Sequence, residues 1–195
     1  MNKSLPLLFI FFVCCNTSRS QKMDVKVDYT AAAPKAGNII NYQPGLVLDW
    51  DDFKGKPIES SEAAAITSAG FGLKLAFKRM ANSSELLISV NCSFSKKDSW
   101  VKPKYKTAYI LNHEQRHFDI AFIHTLVFME RLKNATYTAA NYASVIEKIY
   151  KETGKELEEM QNAYDSQTDH SRNADNQTAW NAKIAKLLDS IAKRE

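Results

Sequence analysis

The chain has 195 residues, 45% of them hydrophobic, and a formal net charge of +4 from 26 Lys and Arg against 22 Asp and Glu. This length is enough for one domain with a buried core. Charges of both signs are mixed along the chain and no Lys or Arg block is dense, which excludes the pattern typical of nucleic-acid-binding proteins.

The first twenty residues have the features of a signal peptide. Lys3 supplies a basic start, and the apolar run at residues 7–13 is far too short to span a bilayer. Ser18 and Ser20 are small residues at the positions that a signal peptidase reads. We therefore expect a signal peptide at 1–20, a mature chain from about Gln21, and a secreted or periplasmic protein without a membrane span.

The cysteines leave one alternative open at this end of the chain. Cys14 and Cys15 directly follow the apolar run, so a lipid anchor competes with simple cleavage. Phe12 and Val13 are bulkier than a lipid-modification site usually accepts, which favours cleavage. Cys92 would then be the only cysteine of the mature chain, so no internal disulfide is expected.

The N-terminal half reads as strands. Residues 21–41 are predicted to be a flexible segment that precedes a domain over residues 42–195. Alternating apolar residues predict strands at 46–53, 63–78 and 85–95, the second of them broken or bulged near Gly70 and Gly72. A turn-like stretch at 81–84 predicts that the last two form an antiparallel hairpin.

The C-terminal half reads as helices. Residues 107–133 contain no Gly or Pro and carry apolar residues at helical spacing. Further helices are predicted at about 138–163, where Gly154 is a weak point, and at about 175–192, with a polar loop at 164–173 between them. Strands followed by helices predict an α+β domain, in which an antiparallel or mixed sheet packs on C-terminal helices.

The first predicted helix contains the sequence His113-Glu-Gln-Arg-His117. Positions i and i+4 lie on one face of a helix, so both imidazoles can reach a single metal ion. Glu114 projects about 100° further round, where it can act as a general base on a water molecule. This is the H-E-x-x-H pattern of zinc metalloproteases, although so short a motif also occurs by chance on ordinary buried helices.

Two other residues of this helix are less suitable as metal ligands. His124 lies about 10 Å along the helix axis from His117, too far for both to bind one ion, and a packed or cleft-lining role is expected instead. Asp119 points away from the motif histidines, and we expect it to anchor the helix by a hydrogen bond or a salt bridge.

Four blocks of the chain together resemble domain-of-unknown-function family 922, secreted bacterial proteins regarded as zinc-dependent proteases. The blocks are LDWDDFKGKP at 48–57, SWV at 99–101, HEQRHFD at 113–119 and Y-D-x-x-T-x-H at 164–170, with Gln177 and Trp180 beyond them. The resemblance spans about residues 50–180. It implies a zincin-like fold with His113 and His117 as zinc ligands and Glu114 as the base. The family tends to have Gly after the loop histidine, where this chain has Ser171.

A third ligand must come from outside the motif helix, because catalytic zinc normally takes three protein ligands and leaves one position for water. The polar loop at 164–173 contains His170, which we predict to be this ligand. Asp165 is the alternative, since sites with two histidines and a carboxylate also bind zinc. In that case His170 would lie beside the substrate.

The sequence therefore predicts an exported zinc metallopeptidase, with zinc bound by His113, His117 and His170. Its partner would be a peptide or protein substrate, which an exposed sheet edge could hold by strand addition. Tyr164 would donate a hydrogen bond to the oxyanion or simply be packed. The competing hypotheses are a non-catalytic zinc-containing binding module and a secreted structural protein without metal.

Overall fold

The computed structural model of the protein describes residues 23–30, 35–80 and 83–192. The strands of this part, in chain order, are β1 (Met23–Tyr29), β2 (Lys35–Ala36), β3 (Ile39–Asn41), β4 (Ala65–Ile66), β5 (Ala69–Arg79), β6 (Ser84–Ser95) and β7 (Trp100–Val101). Its helices are α1 (Ala108–Asn134), α2 (Tyr142–Thr168) and α3 (Ala174–Ala192). The predicted signal peptide lies outside the described residues.

Strand β6 is the centre of a five-stranded mixed sheet. It pairs with β5 in antiparallel register along its length, from Arg79↔Ser84 to Ala69↔Phe94, which confirms the predicted hairpin. On its other side β6 pairs in parallel with β1 and in antiparallel with β3, which in turn pairs with β2. The α+β class is confirmed, and the sheet is mixed.

The alternation along β6 separates its two faces. The five apolar side chains predicted to share one face are all fully buried: Leu86, Ile88, Val90, Cys92 and Phe94. They pack towards α1, where Phe118 lies with its ring centroid 5.8 Å from that of Phe94. The sheet face therefore forms the floor on which the motif helix lies.

Helix α1 occupies the positions that the sequence predicts, within one residue at each end. Thr107 caps its N-terminus by accepting a hydrogen bond from Ile110 N at 3.2 Å, and Arg131 and Lys133 stand in the last turn, where cations are favourable. α1 also packs against α2 and α3, so it lies between the sheet and the other helices. None of the described helices is long and apolar enough to cross a membrane.

The structure corrects three details of the predicted N-terminal half. The segment 21–41, predicted to be flexible, contains the strands β1, β2 and β3. β1 is fixed by seven paired positions along β6, from Met23↔Ser84 to Tyr29↔Val90. These partners lie about sixty positions away in sequence, so the pairing leaves little local signal.

The predicted strand at 46–53 is absent. A short 3-10 helix at Trp50–Asp52 replaces it, because Asp49 accepts a hydrogen bond from Asp51 N at 2.8 Å while the Asp52 carboxylate accepts one from Asp49 N at 3.2 Å. This reciprocal capping favours a helical turn over an extended chain.

The predicted strand at 63–78 is divided in two, but not at its glycines. β4 pairs with β7 through Ala65↔Val101, and β5 pairs with β6. At the break between them Ser68 N donates to Ser99 Oγ at 2.9 Å, and Thr67 Oγ1 donates to the backbone carbonyl of Glu114 at 3.2 Å. This break therefore brings β4 against the motif helix.

Candidate metal centre

Helix α1 places the two motif histidines side by side. Their Nε2 atoms are 3.2 Å apart, and the ring centroids are 4.9 Å apart. His113 is buried, and the His117 side chain is only 12% exposed. The helix thus presents two imidazole nitrogens to one point.

Asp165, in the last turn of α2, completes the group. Its Oδ1 lies 3.1 Å from His113 Nε2 and 2.9 Å from His117 Nε2. Ligand atoms about 2.0–2.1 Å from a tetrahedral ion are about 3.3 Å apart. The triangle of two nitrogens and one carboxylate oxygen therefore has nearly the edges that a bound metal ion requires. Among the described His, Cys, Asp and Glu residues, these three have ligand atoms close enough together to hold one metal ion.

His170 does not belong to this group. Its side chain is 63% exposed, and its Nδ1 lies 3.9 Å from Asp165 Oδ2, the oxygen turned away from the motif histidines. α2 runs to Thr168, past the predicted end of the helix, and His170 follows beyond its cap. The structure therefore groups Asp165, the alternative, rather than the predicted His170, with the two motif histidines.

The backbone around His170 is unusual. Asp169, His170 and Ser171 all have positive φ, at 49°, 50° and 71°, in the left-handed region that favours glycine. The family that the chain resembles tends to have Gly at the position of Ser171, which agrees with the left-handed conformation found there. Hydrogen bonds from His170 N to Asp165 O and from Asn173 N to Thr168 O, both 2.8 Å, hold this loop.

Two glutamines contact the far side of the histidine rings. Gln177 Oε1, from α3, lies 2.8 Å from His113 Nδ1, and Gln161 Oε1, from α2, hydrogen-bonds to His117 Nδ1. Tyr164 is fully buried and stacks on His113 with ring centroids 4.6 Å apart. Its hydroxyl donates to the backbone carbonyl of His113, so Tyr164 is a packed core residue, the second of the two possibilities predicted for it.

Glu114 lies beside the same group. It is 4% exposed, and its Oε2 is buried without a hydrogen-bond partner among the described residues. A buried carboxylate oxygen without a partner is costly unless a water or ligand contacts it. This atom is where a general base would receive a proton.

Burial and mutual contact shift the pKa values of these groups. Desolvation raises the pKa of Glu114, against the smaller effects of the two histidines. At Asp165, desolvation is the largest single effect, but hydrogen bonds to His113 and His117 together outweigh it and lower the pKa. At His117, desolvation is likewise outweighed, here by Asp165 and Glu114, and the pKa is raised. The pKa shifts therefore favour an ionised Asp165 next to a protonated His117, whereas burial favours the neutral form of Glu114.

A cavity of about 250 Å³ opens over the cluster. Its lining includes the two motif histidines, Glu114, Asp165 and Gln161, the segment 63–67, and His170 with Ser171. A second cavity of about 330 Å³ shares Ala63, Ala64, Ile110 and the His170 loop with the first. Because they share these residues, the two cavities adjoin and form one cleft, which borders the cluster.

The other two residues of the motif, Gln115 and Arg116, do not line this cavity. Gln115 accepts a hydrogen bond from Leu48 N at 2.8 Å and donates to Asp119 at 3.0 Å. Asp119 also accepts from Tyr42 and from Arg116, at 3.0 and 2.6 Å, which confirms its predicted anchoring role. His124 is packed, with Nδ1 donating to the Ile120 carbonyl at 2.9 Å.

The fold and this cluster define an α+β domain whose central helix carries a possible metal centre. Residues 91–171 match the family model described as "Bacterial protein of unknown function (DUF922)", which confirms the resemblance to family 922. The match includes His113, Glu114, His117 and Asp165, and it ends before Gln177 on α3. No curated protein and no solved structure gives a significant match.

Proposed function

We propose that the protein is an exported zinc-dependent peptidase of zincin-like architecture. His113, His117 and Asp165 would hold the zinc, and Glu114 would act as general base. The observation that carries the proposal is the 2.9–3.2 Å triangle of ligand atoms with a buried, unpartnered carboxylate oxygen beside it. Two imidazoles and one carboxylate with an open position is a donor set typical of catalytic zinc.

The zinc would polarise the scissile carbonyl and lower the pKa of the attacking water. Glu114 accepts a proton from that water as its oxygen bonds to the carbonyl carbon, and delivers the proton to the amide nitrogen as the C–N bond breaks. Burial keeps the pKa of Glu114 above that of an ordinary carboxyl group, so the protonated form in the second step is more accessible.

The cleft favours an extended substrate. The segment 63–67 forms one wall, and within it Ala65 pairs with Val101 of β7 on one side only among the described strands. A peptide lying along such a wall could add its backbone to the strand, with the scissile bond over the histidines.

The main alternative is a zinc-containing binding module without catalysis. A structural zinc site usually closes its coordination with a fourth protein ligand. The geometry instead leaves one side of the triangle open to the cavity, and Glu114 faces that cavity, so the enzyme hypothesis is favoured.

Metal analysis and peptide hydrolysis test the proposal together. Protein purified without added zinc should contain about one zinc per chain, and a peptide library analysed by mass spectrometry should show cleavage that a chelator abolishes and zinc restores. Zinc without cleavage would favour the binding module, and a chain that takes up no zinc would refute the proposed centre.

A further inference from the structure

Both candidate ligand rings meet a neutral carboxamide at the nitrogen that faces away from the cluster. His113 Nδ1 contacts Gln177 Oε1, and His117 Nδ1 contacts Gln161 Oε1. A carboxamide oxygen only accepts hydrogen bonds, so in both contacts Nδ1 must carry the hydrogen. In a neutral ring, Nε2 then carries no hydrogen, and its lone pair is free to bind a metal ion that Asp165 Oδ1 would also bind.

Flipping either carboxamide would break hydrogen bonds that its NH₂ group makes. Gln161 Nε2 donates to the backbone carbonyl of His117 at 2.9 Å, so this side chain binds the ring and the main chain of one residue. Gln177 Nε2 donates to Tyr164 Oη at 2.6 Å and to Asn181 Oδ1 at 2.9 Å. A flipped Gln161 would place its oxygen against the His117 carbonyl, and a flipped Gln177 would place its oxygen against Asn181 Oδ1. In both cases the NH₂ group would face an imidazole Nδ1. The amide orientation therefore follows from the surrounding bonds.

We propose that Gln161 and Gln177 are positioning residues of the metal centre, which hold His113 and His117 in the tautomer whose Nε2 binds metal. The inference rests on the metal centre of the proposed function and adds to it residues from α2 and α3. Second-sphere groups at zinc-bound histidines orient the rings and change metal affinity about 10–100-fold. Here both are uncharged, so Asp165 and Glu114 supply the negative charge closest to the metal position.

Position 177 gives the sharper test, because Gln177 is only 1% exposed and lies outside the proposed ligands and base. Gln177→Met keeps the length of the side chain but removes the acceptor, and Gln177→Glu restores an acceptor. Gln167→Met is the control, since Gln167 is an exposed glutamine whose Oε1 accepts from Trp180 Nε1 at 3.0 Å rather than from a histidine. Zinc affinity of the full mature chain would be measured by competition with a chelating dye, and folding by thermal unfolding after zinc removal.

Zinc affinity should fall about 10–100-fold in Gln177→Met and stay within about threefold of the unaltered protein in Gln167→Met and Gln177→Glu. Unchanged affinity in Gln177→Met would overturn the inference, and so would equal losses in the Met and Glu variants. Hydrolysis plays no part in this readout. If the chain binds zinc and responds as expected but cleaves no peptide, the peptidase proposal fails while the positioning role stands.

Discussion

Replacing Asp165 should weaken zinc binding far more than replacing His170. Asp165 Oδ1 lies within 3.1 Å of both ligand nitrogens, whereas His170 has only a 3.9 Å contact with the other oxygen of Asp165. Loss of a ligand leaves two of three protein contacts and should exceed the roughly 10–100-fold effect of a second-sphere change. His170→Ala removes a mostly exposed ring, and we expect a change below about tenfold.

The assay is competition against a chelating dye at fixed pH, applied to Asp165→Ala, Asp165→Asn and His170→Ala. The backbone carbonyl of Asp165 still accepts from His170 N in each variant, so the end of α2 should persist. Circular dichroism and thermal unfolding of the zinc-free proteins check this point. A larger loss in His170→Ala would refute the geometric reasoning and restore the prediction made from sequence. Full retention in all three would move the third ligand elsewhere.

Three further outcomes are expected. Glu114→Gln should keep zinc and lower peptide hydrolysis about 10²–10⁴-fold, whereas loss of zinc would make Glu114 a ligand. Burial raises the pKa of Cys92 from 9.0 to about 12, so the folded state favours the protonated thiol. The free energy of unfolding should therefore fall as the pH rises from about 9 to 12. Rapid alkylation of Cys92 in the native protein at about pH 8 would contradict this prediction. Phe118→Ala should lower the free energy of unfolding, measured by urea denaturation, by about 3–5 kcal/mol. The control Val47→Ala, at a 70% exposed site, should lower it by less than about 0.5 kcal/mol.

The elements predicted well are those whose signal is local and long. β6 alternates over twelve residues, so its buried face could be identified from apolar spacing alone. α1 has 27 residues without Gly or Pro and a Thr cap at its start, which fixed both its extent and the shared face of His113 and His117. The orientation of Glu114 followed from the same helix geometry.

The elements predicted poorly depend on distant partners. β1 pairs with residues about sixty positions away, and its burial rests on β6 and α1 rather than on its own composition. The contacts of Gln161 and Gln177 with the histidines were also missed, because a glutamine carries no such signal until its histidine partner is known; Gln177 was noted only as part of the family resemblance. One sign was present: Gln161, Tyr164, Asp165 and Thr168 lie at i, i+3, i+4 and i+7, on one helical face.

The choice between Asp165 and His170 depended on where α2 ends. The polar residues from 164 onward indicated a loop, and imidazole suits zinc at least as well as carboxylate does. The helix instead continues to Thr168, whose Oγ1 donates to the Tyr164 carbonyl at 2.7 Å and is buried with it. One further turn places Asp165 directly above Gln161, facing α1, while His170 falls beyond the left-handed cap at Asp169. A carboxylate held on a rigid helix can keep a fixed distance to two histidines on another, which a side chain on an exposed cap cannot do as well.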